Sequence, residues 1–231
     1  MTELYVNNFR GFRDTFIPLD KVNFLIGENS TGKTSILKLI RVLSDAGFWN
    51  NFDLESSDFH LGYFTELCDE EYFEIGFKYR SITHPKEDIM TLIRFVNKNG
   101  GAVANLIRII NKDGELKLIL SELKGKYSNN NIDTTIFTKW VKSEMKEVTD
   151  FELLGKGEVP DKFKSRISPL SLLTVGINEK GNKKMSKLII DFQLSVLISL
   201  VWLAPIRAEP QPVYSNYKIN FSPDGSHIPF L

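Results

Sequence analysis

Cysteine is almost absent from this chain. Cys68 is the only one in 231 residues, which excludes an internal disulfide and any multi-cysteine zinc site and fits a reducing compartment. Histidine is scarce as well: His60, His84 and His227 are scattered without metal-ligand spacing. Charge of one sign has no excess, with 29 basic and 29 acidic residues, so the whole-chain electrostatic footprint of a dedicated nucleic-acid binder is missing and any such contact must be local. Uninterrupted apolar runs are missing too. The most apolar segment, Leu188 to Ile206, is broken by Asp191, Gln193, Ser195 and Ser199 and reads as a buried core element rather than a membrane span. The opening "MTELYVNNFRGF" has no basic region followed by an apolar run and does not read as a signal peptide. The expectation is a cytoplasmic protein with no membrane association.

What remains is an ordinary globular composition, 42% hydrophobic and 25% charged, enough for one large domain or one domain with a sizeable insertion. Within it one stretch stands out, "FLIGENSTGKTSILKLI", residues 24–40. It matches G-x-x-x-x-G-K-[ST] as Gly27, Gly32, Lys33 and Thr34, with Glu28, Asn29, Ser30 and Thr31 between the glycines and Ser35 after them. The glycines let the backbone curl so that its N–H groups face phosphate oxygens, and the helix that follows adds positive partial charge. In such a loop Lys33 reaches the β and γ phosphates of ATP and the Thr34 hydroxyl helps to hold Mg²⁺. The flanks suit it: "ELYVNNF", "RDTFIPLD" and "KVNFLIG" read as three strands, the first two joined by a turn at Gly11, and "KTSILKLIRVLSD" places Ile36, Leu39, Ile40 and Leu43 at helical spacing.

The pairing of "LYVNNFRGF", residues 4–12, with this loop resembles the opening of the SMC-like and RecF-like branch of ABC-type ATPases, including the OLD family of phage-defence ATPases. The positions that carry the likeness are Asn8, Phe9 and Arg10, then Gly27, Asn29, Gly32 and Lys33. "WLAPIRAEP" (202–210) and "SPDGSHIPFL" (222–231) look like the Pro-x-Arg and Ser-Pro-Asp-Gly segments of OLD-like AAA ATPases. The resemblance covers roughly a third of the chain and implies an α/β P-loop NTPase, an ABC/SMC-type N-terminal lobe with a mixed sheet and an antiparallel β-meander subdomain. It also places the Arg10 turn beside the nucleotide. Arg10 and Arg13 could each contact phosphate or DNA, and each fits an ordinary surface arginine equally well.

Between the two ends the chain is still readable. "EYFEIGFKYR", "IMTLIRFV", "AVANLIRII" and "ELKLIL" are β-rich runs, and the links "NKNGG" and "NKDG" are strong hairpin signals, so residues 71–120 predict an antiparallel meander of about four strands. In "TTIFTKWVKSEMKEV", residues 134–148, Ile136, Trp140, Val141 and Met145 recur near helical spacing and predict a surface helix. The lysines from Lys156 to Lys187 read as a solvated loop, with no aromatic interleaving to support base stacking. The acidic run Asp53, Glu55, Asp58, Glu66, Asp69, Glu70, Glu71 and Glu74 reads as an acidic loop ahead of the meander. Arg207, among Ala204, Pro205, Ile206 and Pro210, fits either a nucleotide contact or a pair with an acid.

The chemistry of ATP hydrolysis is only half present. An ABC-type ATPase needs an apolar strand ending in Asp-Glu, a signature segment at a helix start and a late switch histidine. "KLIIDFQ" offers Asp191 without a following Glu, and neither Gln193 nor Gln211 sits where a Q-loop glutamine is expected. The catalytic residues stay unassigned. The expected plan is strands, phosphate loop and helix over 1–50, an antiparallel subdomain over 71–120, a helix and basic loops over 121–187, and an apolar helix or strand over 188–231 that leads toward a C-terminal lobe. No sustained heptads occur, so a compact OLD-like or RecF-like parent is favoured over the long SMC members.

By resemblance the chain is the ATP-binding lobe of a homodimeric ATPase. Complete subunits would sandwich ATP head to tail and control a Toprim-type or other nuclease partner acting on DNA in antiviral defence. The alternatives are a RecF-like DNA repair or chromosome-maintenance ATPase and a non-catalytic nucleotide-binding regulatory fragment.

Overall fold

The computed structural model describes residues 1–52, 54–56, 59–82, 84–122, 124–129, 134–146, 148–152, 185 and 187–189. All of them fall within one compact unit, Met1–Ile198. The alternating runs recognised over 71–120 form four successive strands: β5 (Tyr72–Arg80), β6 (Asp88–Lys98), β7 (Gly101–Asn111) and β8 (Gly114–Ile119). Ahead of them lie β1 (Glu3–Asn7), β2 (Thr15–Pro18), β3 (Glu55–Ser56) and β4 (Phe59–His60), and after them come β9 (Lys124–Ser128) and β10 (Val148–Glu152). Eight of these make one sheet in the order β10-β9-β8-β7-β6-β5-β1-β2, while β3 and β4 pair separately. The meander is therefore continuous with the N-terminal strands, because β1 pairs with β5, Leu4 opposite Phe77 and Val6 opposite Ile75.

One face of this sheet carries the main core. Leu4, Val6, Phe73, Ile75, Phe77, Phe95, Ile107 and Ile109 alternate along their strands and are buried with Ile36, Leu39, Val42 and Leu43 of helix α1 (Lys33–Leu43). Phe48 and Trp49 of helix α2 (Ala46–Asn51), and Phe52 just after it, join the same cluster, with Trp49 edge-on to Phe77 at 5.2 Å between centroids. Helix α3 (Phe64–Leu67) adds Phe64 and Leu67. The opposite face is covered locally by helix α4 (Phe137–Val141), whose Phe137, Trp140 and Val141 pack with Tyr5, Met90, Leu92 and Ile110. Gly76 makes room for it: a Cβ there would stand 3.1 Å from both Phe137 Cζ and Tyr5 Cδ1.

Two expectations are corrected, and a third, the mixed sheet, finds no parallel pair to support it among the described residues. The third strand, over 21–27, does not form. Residues 19–27 are irregular, and Val22, Phe24 and Ile26 are 70%, 82% and 91% exposed. A strand is stabilised by its ladder, and among the described residues no neighbour runs beside this segment. The helix over 134–148 shrinks to the five residues of α4, and residues 148–152 become β10. Buried Arg108 explains the stop, because it donates to the carbonyls of Trp140, Val141 and Ser143 at 3.3, 3.0 and 3.1 Å and so takes the acceptors that a longer helix would use. The expected mixed sheet has no parallel pair among the described residues; every pairing is antiparallel.

Residues 185 and 187–189 are helical, with Met185, Leu188 and Ile189 buried in the main cluster and the Lys187 ammonium 3.4 Å from Asp113. Most of the lysine-rich 156–187 stretch, together with Asp191, Gln193, Arg207 and Gln211, lies outside the described residues. Among the described residues no helix is long and apolar enough to cross a membrane.

Two buried polar groups on the sheet yield predictions. Arg108 pairs with Glu115 at 2.7 Å with both side chains almost fully buried, so neutralising one partner leaves an uncompensated charge. Glu115→Gln is expected to destabilise the fold by about 3 kcal/mol, read as a shift of the urea midpoint. Tyr127 is buried with its hydroxyl unpartnered, and burial, aided by the Asp113 charge, pushes its pKa up to about 12. Its folded pKa exceeds the ordinary value of about 10, so its contribution is complete below pH 10 and is lost as pH rises toward 12. Tyr127→Phe is expected to be at least as stable as the wild type at pH 7, since no hydrogen bond is lost, and to gain over it progressively above pH 10 in denaturation curves.

Candidate functional site

The site is assembled where the phosphate-loop motif meets the first turn of the chain. Helix α1 forms because its apolar residues recur at i, i+3, i+6 and i+7 (Ile36, Leu39, Val42, Leu43), which turns one stripe to the sheet and leaves Lys33, Thr34 and Ser35 at its free end. Its cap is Gly32, left-handed at φ 85°, and no side chain caps the helix. The first-turn amides are thus left without a side-chain acceptor, facing the loop. Ser30 is also left-handed at φ 65°, so the backbone between Gly27 and Lys33 curls back on itself.

Lys33 lies folded into this curl. Its ammonium donates to the carbonyl of Gly27 at 2.8 Å, to the carbonyl of Glu28, and to Thr31 Oγ1 at 3.2 Å, while the Thr31 hydroxyl donates to Glu28 O at 2.9 Å. These acceptors carry no charge of their own to balance the ammonium. Phosphate oxygens would offer it an ionic partner as well as hydrogen bonds. Thr34 is exposed on the first helical turn, with its hydroxyl accessible to a cation. Among the described residues no group of three or more His, Cys, Asp or Glu side chains could hold a metal by itself.

The second part of the site is the turn between β1 and β2. Phe9 and Phe12 exchange two backbone hydrogen bonds, 3.1 Å from Phe9 N to Phe12 O and 2.9 Å in return, around Arg10 at φ 46° and Gly11 at φ 83°. Positive φ at both central residues is the type I′ turn that suits the strand twist, and Gly11 supplies it without cost. The turn directs two side chains at the phosphate loop. Arg10 Nη1 donates to Ser35 Oγ at 3.1 Å while Nη2 donates to the carbonyl of Leu61, and the Arg10 amide donates to Leu67 O at 2.7 Å. The Phe12 ring lies against Gly32, where an added Cβ would come within 2.5 Å of Cζ.

Of the residues the motif nominates, Gly27 through Ser35 are therefore contiguous in one loop and helix start, and Arg10 is brought to them across 25 residues of sequence. Arg13 turns away and pairs with Glu70 at 3.2 Å. That pair and the Glu74–Arg94 pair at 2.7 Å account for two of the acids in the stretch ahead of the meander, whereas Asp53 and Asp58 lie outside the described residues. A cleft of about 130 Å³ opens beside the turn, lined by Asn8, Arg10, Phe12, Arg13, Glu66 and Cys68 among others. Burial pushes the Cys68 thiol up, and Sγ lies 3.2 Å from Tyr72 O, so this cysteine is a packed core group rather than a nucleophile. Sequence reading missed Phe12 and the Leu61 and Leu67 carbonyls. The available signal was the pair of phenylalanines flanking Arg-Gly, a hairpin-turn pattern.

A family described as AAA ATPase domain matches residues 1–170, which includes the whole of this site. No curated protein matches the chain.

The Phe12–Gly32 contact gives a stability prediction independent of any ligand. Gly32→Ala adds a methyl both at a left-handed φ and into the Phe12 ring, and is expected to cost about 1 to 3 kcal/mol. In combination with Phe12→Ala the loss should be smaller than the sum of the two single losses, as measured by a double-mutant cycle in urea.

Proposed function

The chain belongs to the AAA ATPase domain family, and on that premise we propose that it binds Mg·ATP through Gly27–Ser35 as the nucleotide-holding lobe of an SMC/RecF/OLD-like ATPase. The observation that carries this reading is the position of the Lys33 ammonium. It sits inside the backbone curl on neutral oxygens, at the end of a helix that no side chain caps. A polyphosphate supplies what both groups lack, an anionic acceptor.

The residues then divide the work. The loop amides and the α1 N-terminus hold the phosphates, Lys33 neutralises their charge, and the exposed Thr34 hydroxyl takes Mg²⁺. Bound Mg²⁺ would supply charge stabilisation at the phosphoryl oxygens. Arg10 holds the Ser35 hydroxyl and puts a second positive charge beside the helix start, which suits it to share a phosphate with that hydroxyl. The water-activating acid would come from beyond the described residues or from a second subunit, in keeping with a head-to-tail homodimer.

The finer reading is a defence ATPase whose nucleotide state governs a nuclease acting on DNA. Its support is the resemblance of residues 4–12, 202–210 and 222–231 to the OLD-like group.

Calorimetry with Mg·ATP on the wild-type chain and on Lys33→Ala tests the proposal. The variant is expected to lose affinity by about a hundredfold or more with a melting midpoint close to that of the wild type, because among the described residues the hydrogen bonds of the Lys33 ammonium stay within its own loop. Equal binding by the two proteins, or no binding by either, would reject the reading. Turnover followed in the same samples should rise faster than linearly with protein concentration if two subunits complete the site.

A further inference from the structure

We propose that Phe12 is a positioning residue of the phosphate loop: its ring is a fixed stop that sets the path of the backbone at Gly32, and with it the directions of Lys33 and of the α1 amides. The inference rests on the nucleotide-binding reading and adds to it a residue outside the loop motif.

The anchoring of Phe12 comes first. Its amide and carbonyl are both committed to Phe9, whose side chain is completely buried, so the Phe12 backbone is tied directly to the core. The ring itself is half-buried and packs against the main cluster. The four-residue turn is held on its other side by the bond from the Arg10 amide to Leu67 O and, next in sequence, by the Arg13–Glu70 pair. A ring on such a base has little freedom to retreat.

The place it touches is the second point. A Cβ built on Gly32 would stand 2.5 Å from Cζ and 2.6 Å from Cε2, so this edge of the ring meets backbone and not a yielding side chain. Gly32 lies at the junction of loop and helix, and its carbonyl accepts the first α1 hydrogen bond, from the Ile36 amide at 3.1 Å. A displacement there moves the lysine and the helix start together. From the same turn Arg10 grips Ser35, three residues further on, so the junction is contacted twice by one rigid element. Two contacts fix an orientation, whereas one fixes only a distance.

A stop of this kind makes a specific pattern of variants. Phe12→Ala removes it. Phe12→Leu restores much of the volume, and Phe12→Tyr keeps the core-facing ring but adds a hydroxyl on the atom nearest Gly32, which forces the loop away. Mg·ATP affinity would be measured by calorimetry for the three variants, the wild type and Lys33→Ala, well below the melting midpoint of each.

Phe12→Ala and Phe12→Tyr are expected to weaken binding about tenfold or more, and Phe12→Leu to stay within about threefold of the wild type. The tyrosine variant should show this loss with a smaller fall in the nucleotide-free midpoint than the alanine variant, a result that a role confined to core packing would not produce. Alanine and tyrosine variants that bind within about twofold of the wild type, while Lys33→Ala loses binding, would overturn the role of Phe12 and leave the nucleotide-binding reading intact. A leucine variant as weak as the alanine variant would overturn it too. A wild-type chain that binds no nucleotide would overturn both.

Discussion

The register of β1 is the constraint on which the rest of the molecule depends. β1 lies between β5 and β2, and its side chains alternate between the main core (Leu4, Val6) and the opposite face (Tyr5). A slip by one residue would turn Leu4 and Val6 to the α4 side and bring Tyr5 under the helices. It would also rotate the hairpin that follows, so that Phe9 leaves the core and the Arg10–Gly11 turn no longer faces the phosphate loop. The same strand thus fixes a hydrophobic core and a chemical site. The agreement between its alternation and that of β5, Val6 against Ile75 and Leu4 against Phe77, makes the register strongly specified.

The two faces of the sheet use different physics. Under α1 and α2 the contacts are apolar and numerous, with aromatic pairs such as Phe73 stacked on Phe95 at 5.1 Å, and they account for most of the burial. On the other face the cover is small and ionic groups do more. Glu74 receives Arg94, Glu115 receives Arg108, and the Arg108 guanidinium also lies over the Trp140 ring at 4.8 Å while binding three carbonyls at the end of α4. Arg108, Lys117 and Lys126 stand opposite one another on β7, β8 and β9. The cost of that row is visible in Lys117, whose pKa is pushed down by burial and then by Arg108, Lys126 and Arg94. Such a face gains orientation and specificity more than net stability.

Much of this was legible in the sequence, for reasons that are local. The phosphate loop is written in glycines and one lysine at fixed spacing. α1 is written in its apolar stripe, and the meander in alternating runs joined by Asn-Gly and Asp-Gly links. What was not legible depended on partners distant in sequence. The segment 134–148 has helical periodicity, but Arg108 on β7 takes the carbonyls that would extend the helix, and Arg108 cannot be found from that segment alone. Phe12 was readable as a turn residue and not as a support of the loop, since the loop lies 20 residues further along. Arg10 was open between nucleotide and surface. Its bond to Ser35 places it at the loop without deciding what else it holds.

The run from Val22 to Ile26 shows the same principle from the opposite side. Its composition is that of a buried strand, yet it is irregular and exposed, because β-propensity describes the fit to a ladder and a covering layer and has no expression without them. The phosphate loop therefore has unequal supports among the described residues. Its entry from Ile26 has no paired neighbour, whereas its exit into α1 is buried in the core and contacted by Phe12 and Arg10. Geometry at Lys33 must then be transmitted from the exit side, through the helix and the turn. It follows that the order of this loop is governed less by the segment leading into it than by a four-residue turn 20 residues earlier, whose own position is set by the pairing of β1 with β5.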